Sequence, residues 1–319
     1  MTIGDHLDEQ HGLPAFDFPG PDAPVAGLPG PDTVAWRVRG EVYDSDEDWH
    51  GAFARFCGAV DTTRVKALIV GAWEEAYDSS SDPVVEALAG ARDRFPALRA
   101  VFIGDMVMEE CEISWIHQGD VTPVLAAYPE LLELGVRGGT ELEFPAVEHA
   151  ALRRLVMETG GLPAQVVRGV GASDLPALEH LDLWLGTPDY GGDSEVSDLE
   201  GILSGVRFPK LRHLALRNSE MQDAVAAAVA AAPVVARLEV LDLSMGVLTD
   251  EGAGALLAGQ PLTHLTTLDL HHNYLSDPMR ERLTDTLRPS GVEVDVDADD
   301  ADEDRESDGT VWRYVSVGE

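Results

Sequence analysis

Cysteine is almost missing from this chain: Cys57 and Cys111 are the only two in 319 residues. Two thiols cannot build a disulfide framework, and no C-x-x-C spacing offers a metal knuckle. Basic residues are scarce too, 22 against 58 acidic ones, which leaves a formal net charge of −36. That field repels a phosphate backbone and an anionic bilayer, and no local basic patch offsets it. Nucleic acid and membrane are therefore not expected partners. A protein or peptide of basic character is, although solubility alone also accounts for such acidity. Long apolar runs are lacking as well. The most apolar stretch, AVAAAVAAAPVVA at 224–236, is too short and alanine-rich to span a bilayer. The opening MTIGDHLDEQHG has neither a basic nor an apolar leader region, so the expected compartment is the cytoplasm.

Catalytic signatures are equally sparse. The sequence has no H-E-x-x-H, no G-x-S-x-G elbow, no P-loop and no dinucleotide fingerprint. RGVGASD at 168–174 contains glycines but precedes no convincing phosphate-binding helix. The expectation is a protein without enzymatic activity or cofactor.

What the chain does have is a period. LRHLALRNSEMQDAVAAAVAAA begins at Leu211, LEVLDLSMGVLTDEGAGALLAG at Leu238 and LTTLDLHHNYLSDPMRERLTDTL at Leu265, each 27 residues after the last. All three read L-x-x-L-x-L, then a small or polar turn, then a helix-like stretch. In a strand, Leu265, Leu268 and Leu270 can bury while Thr267 and Asp269 point to the other face. Ser219, Gly246 and Asn273 recur at position 9, where a tight turn is expected. Met221, Leu248 and Leu275 close the turn, and Asp223, Asp250 and Asp277 at position 13 are placed to cap a helix. Val229, Leu256 and Leu283 face inward from that helix. One strand and one helix cannot bury their apolar faces alone, so the units must stack.

These residues resemble the leucine-rich repeat family, and the TDEGAGALLAG form is similar to its ribonuclease-inhibitor-like subtype. The resemblance is strongest over 211–290 and extends to LRRLVMETGGL at Leu152 and LEHLDLWLG at Leu178. VKALIV at Val65, LRAVFI at Leu98 and LLELGV at Leu131 keep the strand pattern without the turn asparagine. The units starting at Val65, Leu98 and Leu178 run 33 residues, and that at Leu131 only 21, so GGTELEFPAVEHAA is expected as an irregular loop. The layout, with its proline-rich start and RYVSVGE ending, looks like that of uncharacterised bacterial solo leucine-rich repeat proteins. The resemblance implies an α/β fold: a right-handed solenoid, horseshoe-shaped, with a parallel sheet on its concave face.

Three regions are expected. Residues 1–64 hold a proline-rich coil (12–33) and an N-terminal cap of VAWRVRG (34–40) and a helix over 46–60, striped by Trp49, Phe53, Phe56 and Val60. Residues 65–297 form the solenoid, ending in VEVDVD as an edge strand. Residues 298–319 are an acidic, disordered linker followed by TVWRYVSVGE, an alternating segment expected to dock as a strand.

LDLHHNYLSD at 268–277 invites a metal reading. His271 and His272 are adjacent at a strand exit and so diverge, and no thiols lie near, so no metal site is expected. Asp182, Asp242 and Asp269 share position 5 and form one stripe; carboxylates in a row can raise one another's pKa, yet LDL is commonly a solvated position in such repeats. A hydrolase reading would rest on Asp182 or Asp242.

The favoured site is the middle of the concave face, with Arg137, His180, Asp182, Trp184, His213, Arg217, Asp242 and His271 as binding residues. The inserts at 71–83, 104–123 and 184–198 form an acidic rim carrying Trp73, Tyr77, Trp115, Trp184 and Tyr190. Each tryptophan is as compatible with core packing as with exposure. The expected function is a non-catalytic scaffold that binds protein or peptide. The alternative is an accessory component of a biosynthetic pathway that holds a small molecule or peptide intermediate.

Overall fold

In a computed structural model, residues 4–25, 27–40, 47–299, 301 and 303–318 are described. The first residue of the expected 46–60 helix falls outside them. Twelve strands form one sheet in strict chain order: β1 (Glu9–Gln10), β2 (Leu13–Asp17), β3 (Ala35–Val38), β4 (Ala67–Val70), β5 (Ala100–Ile103), β6 (Glu133–Arg137), β7 (Arg154–Glu158), β8 (His180–Gly186), β9 (His213–Ser219), β10 (Val240–Asp242), β11 (Thr267–Asp269) and β12 (Glu293–Asp295). β1 pairs antiparallel with β2, and every later pairing in this sheet is parallel. The helices are α1 (Trp49–Ala59), α2 (Asp82–Gly90), α3 (Thr122–Ala127), α4 (Ala164–Ala172), α5 (Glu200–Ser204), α6 (Gln222–Ala230), α7 (Asp250–Ala258) and α8 (Asp277–Leu287). Stacked strand-and-helix units of this kind fit a solenoid. The unit at Leu131 has no helix, and its loop bridges at Thr140, Glu143 and Glu148 instead.

The register follows the period. Glu133, Arg154, His180, His213, Val240 and Thr267 lie side by side across β6–β11, as do Asp182, Ala215, Asp242 and Asp269 across β8–β11. The repeating leucines bury with the helices in one core that runs the length of the sheet.

Three local expectations change. The left-handed backbone at the strand exit falls on position 8, at Asn218, Met245 and His272, rather than position 9. Position 9 ties units together instead: Asn273 accepts from Leu248 N at 2.9 Å and donates to the Leu243 carbonyl at 3.0 Å. Two of the position-13 aspartates likewise reach across to the next unit. Asp223 accepts from Thr249 N (2.7 Å) and Gly252 N (3.1 Å), and Asp250 accepts from Ser276 N (2.9 Å). Thr249 and Ser276 are the side chains that cap α7 and α8. Asp223 and Asp250 therefore hold the next unit's cap in place.

The ends also differ from expectation. Residues 13–17 join the sheet as β2 rather than remaining coil. Part of the acidic run forms β13 (Glu303–Arg305), paired antiparallel with β14 (Val311–Arg313). The tail docks beyond this hairpin, through Val315 and Val317.

Candidate functional site

The face of the sheet opposite the helices carries the stripes expected to bind, and the N-terminal arm crosses it. On the N-terminal side Leu7 packs over Ala35, Ala67, Ile69, Ala100 and Phe102. Its backbone is held at both ends, the N–H by Asp105 at 3.1 Å and the carbonyl by Arg37. The apolar third of this face is thus covered by the chain itself. Phe102 lies against Gly135, where a Cβ would collide with its ring.

In the middle of the face, charges neutralise one another in two clusters. Arg37 donates to Asp105 at 2.6 Å, and Arg137 donates to Glu158 at 2.8 Å and to the Met106 carbonyl at 2.8 Å. Arg217 forks onto both oxygens of Asp182 at 3.0 and 2.7 Å and stands 3.4 Å from Asp242. Its guanidinium also lies 5.0 Å from the centre of the Trp184 ring. Burial pushes the Asp242 carboxyl up to about 6, against the pull of Arg217. Burial likewise raises Glu158, with Arg137 opposing. Asp105 goes the other way: burial raises it, but His6, Arg37 and Arg137 outweigh that and hold it low.

The eight expected binding residues therefore divide. Arg137, Asp182, Trp184 and Asp242 are buried, whereas His180, His213, Arg217 and His271 are partly exposed. Trp184, expected among the binding residues of this face, is 2% exposed, which corrects that expectation in favour of core packing. Desolvated arginines and carboxylates on adjacent strands find each other before any partner does. Asp182 and Asp242 hold Arg217, which leaves the hydrolase reading without a free carboxylate at either position.

His180 and His213 stack with ring centres 3.8 Å apart. Burial, helped by Arg154, lowers His180 to about 2. Burial also lowers His213 to about 4, although Asp182 pulls the other way. Both rings are neutral at pH 7. Beside them, residues Glu9, His11, Phe102, Glu133, Arg154 and Glu158 help enclose a cavity of about 340 Å³ roofed by the N-terminal arm. That arm was invisible to a register argument because it carries no repeat.

The histidine pair of LDLHHNYLSD does diverge. His272 packs edge-on to Tyr274, and His271 hydrogen-bonds Asp269 at 2.7 Å. Asp269, His271 and Asp295 bring ligand atoms within 4.8 Å of one another, the one described group with metal-like proximity. Asp295 sits one unit along and was missed by reading the stretch alone. Within this cluster the hydrogen bond to Asp269 raises the His271 imidazole.

The rim loops sort their aromatics. Trp73 and Trp184 are buried, while Trp115 is 54% and Tyr77 58% exposed. Trp115 lines an open groove with Tyr190, Pro163, His117, Glu141 and Asp189. Two carboxylates thus flank two aromatic rings.

No protein-family model matches the chain, and no curated protein matches it. Among solved structures, an internalin from Listeria monocytogenes is 14% identical, with 73% of this chain and 80% of that one covered and a TM-score of 0.31. The leucine-rich repeat domain of APL1 is 15% identical, with coverage of 87% and 76% and a TM-score of 0.33. Neither likeness is close enough to carry an argument. A structural-genomics protein from Bacteroides fragilis is different: 32% identity, 80% of this chain and 70% of that one, with a TM-score of 0.71. This chain belongs to the same family as that Bacteroides fragilis protein.

Proposed function

We propose that the chain is a non-catalytic binding scaffold of the cytoplasm, a right-handed leucine-rich repeat horseshoe of the ribonuclease-inhibitor-like type. Its partner is a protein or peptide with basic and apolar character. The strand-exit rim is the primary contact, and the partly exposed His180, His213, Arg217 and His271 form a secondary one. The observation that carries this reading is Trp115, a large exposed ring beside Tyr190, Glu141 and Asp189. An exposed aromatic in an acidic surround suits an anchor for a cationic or amphipathic side chain. The net charge of −36 would speed the approach of a basic partner and make it salt-sensitive.

Trp115→Ala is the test. A partner captured by the wild type should bind the variant at least about tenfold more weakly, with the melting temperature unchanged. Equal capture would reject the rim.

The cavity under the N-terminal arm favours a second reading, in which the chain holds a small polar molecule or peptide intermediate for a biosynthetic pathway. Its size, about 340 Å³, is within the range of small-molecule sites. A saturable metabolite-induced thermal shift that Arg154→Ala removes would support this reading over the first.

A further inference from the structure

The last described residues lie in a groove built to hold a peptide backbone. Asn218, fully buried, uses its side-chain amide twice on Val317, accepting from the N–H at 3.0 Å and donating to the carbonyl at 2.7 Å. Ser316 N–H donates to the Met245 carbonyl at 2.8 Å, and Ser114 Oγ donates to the Gly318 carbonyl. The Tyr274 hydroxyl accepts from Tyr314 N–H at 2.9 Å and donates to the Tyr314 carbonyl at 2.8 Å. The Val317 side chain fills a pocket of Ile113, Trp184 and Met245. Gly160 leaves the backbone its room: a Cβ there would collide with the Gly318 carbonyl oxygen.

We propose that this groove is a peptide-recognition site whose ligand is an extended segment of a partner protein. The segment places an aliphatic side chain in the Val317 pocket, followed by glycine. The tail is its tethered occupant. The inference rests on the binding-scaffold reading and deepens it, because Gly318 lies beside Tyr190, whose ring a Cβ built on the glycine would meet at 3.1 Å. A partner segment runs on past its glycine into the Trp115 groove. Recognition through backbone hydrogen bonds plus one side-chain pocket is how extended peptides are commonly read. Tethering gives the tail an effective concentration on the order of millimolar, so a partner competes by making contacts the tail lacks. The tail leaves such contacts open: the indole N–H of the buried Trp184 has no hydrogen-bond partner among the described residues.

The test uses the full chain carrying Val317→Asp, and a fluorescent peptide of sequence WRYVSVG as the probe. An aspartate in the apolar pocket expels the tail, which hydrogen exchange reads as loss of protection at residue 317. The probe should then bind this variant at least about tenfold more tightly than it binds the wild type. N-methylating the second valine of the probe removes the donor to Asn218 and should weaken binding about tenfold or more. Equal binding to both chains, or no loss on N-methylation, would overturn the proposal. So would a tail that stays protected in the Val317→Asp chain, since the pocket would then not select an aliphatic side chain. A concentration-dependent dimer of the wild type that Val317→Asp abolishes would assign the groove to a second copy and overturn the partner reading. Adding Trp115→Ala leaves binding of this short probe unchanged, so failure of the rim and failure of the groove are told apart.

Discussion

Arg217 shows best how a residue on this face works. Its fork onto Asp182 and its approach to Asp242 desolvate one cation and two carboxylates together. Arg217→Ala strands both acids and should cost about 3–5 kcal/mol in chemical denaturation. Trp184→Ala should cost a similar amount by opening a cavity. Either variant matching the wild type in stability would contradict the burial of this cluster. The stacked histidines give a pH signature. Their folded pKa values, about 2 and about 4, lie below the unfolded value, so the stability they contribute is present above about pH 6.5 and lost as pH falls. Asp242 opposes them. Its folded value of about 6 is raised, so its contribution is full below about pH 4 and lost as pH rises through 6. Glu158, His6 and His271, raised as well, act in the same direction as Asp242, so the histidine pair is read by comparison with a variant that lacks it. His180→Asn with His213→Asn should lose less stability than the wild type, or gain more, between pH 7 and pH 5 in urea titrations. The charge pairs had a signal in the sequence, since Asp182 and Arg217 stand two positions apart in adjacent units. Counting them as surface residues ignored that a strand neighbour is always at hand.

At the scale of the element, the aspartate at position 13 separates units that merely stack from units that are latched. Asp223 and Asp250 bond backbone N–H groups of the following unit, whereas Asp277 pairs with Arg280 on its own helix and is largely exposed. Asp223→Ala and Asp250→Ala should each cost about 1–3 kcal/mol by leaving those donors unsatisfied. Asp277→Ala should stay within about 0.5 kcal/mol. Equal losses for all three would mean that the aspartates act only on their own helices. Strand positions and register were legible here because a period of 27 residues constrains every unit at once. The direction of the aspartates was not, because a single unit carries no information on which neighbour its side chain meets.

At the scale of the molecule, two segments without repeats pack back onto the repeat units. Leu7 covers the apolar third of the helix-free face, and Val317 enters the groove between Trp184 and Met245. Neither crossing leaves a periodic trace, and both join residues about a hundred or more apart in sequence, as with Leu7–Asp105 and Asn218–Val317. Leu7→Asp should therefore uncover Phe102 and Ile69 and raise binding of a hydrophobic dye, with little change at the distant α7–α8 end. Unchanged dye binding would mean that the arm does not shield this face. With part of that face covered, the proposed recognition site is the rim, where Trp115 is exposed. Hydrogen exchange on the full-length chain, with and without its captured partner, tests that most directly. The account predicts new protection at 113–117 and 187–191 together with loss of protection at 314–318. Protection confined to the helices, with the tail still docked, would contradict it.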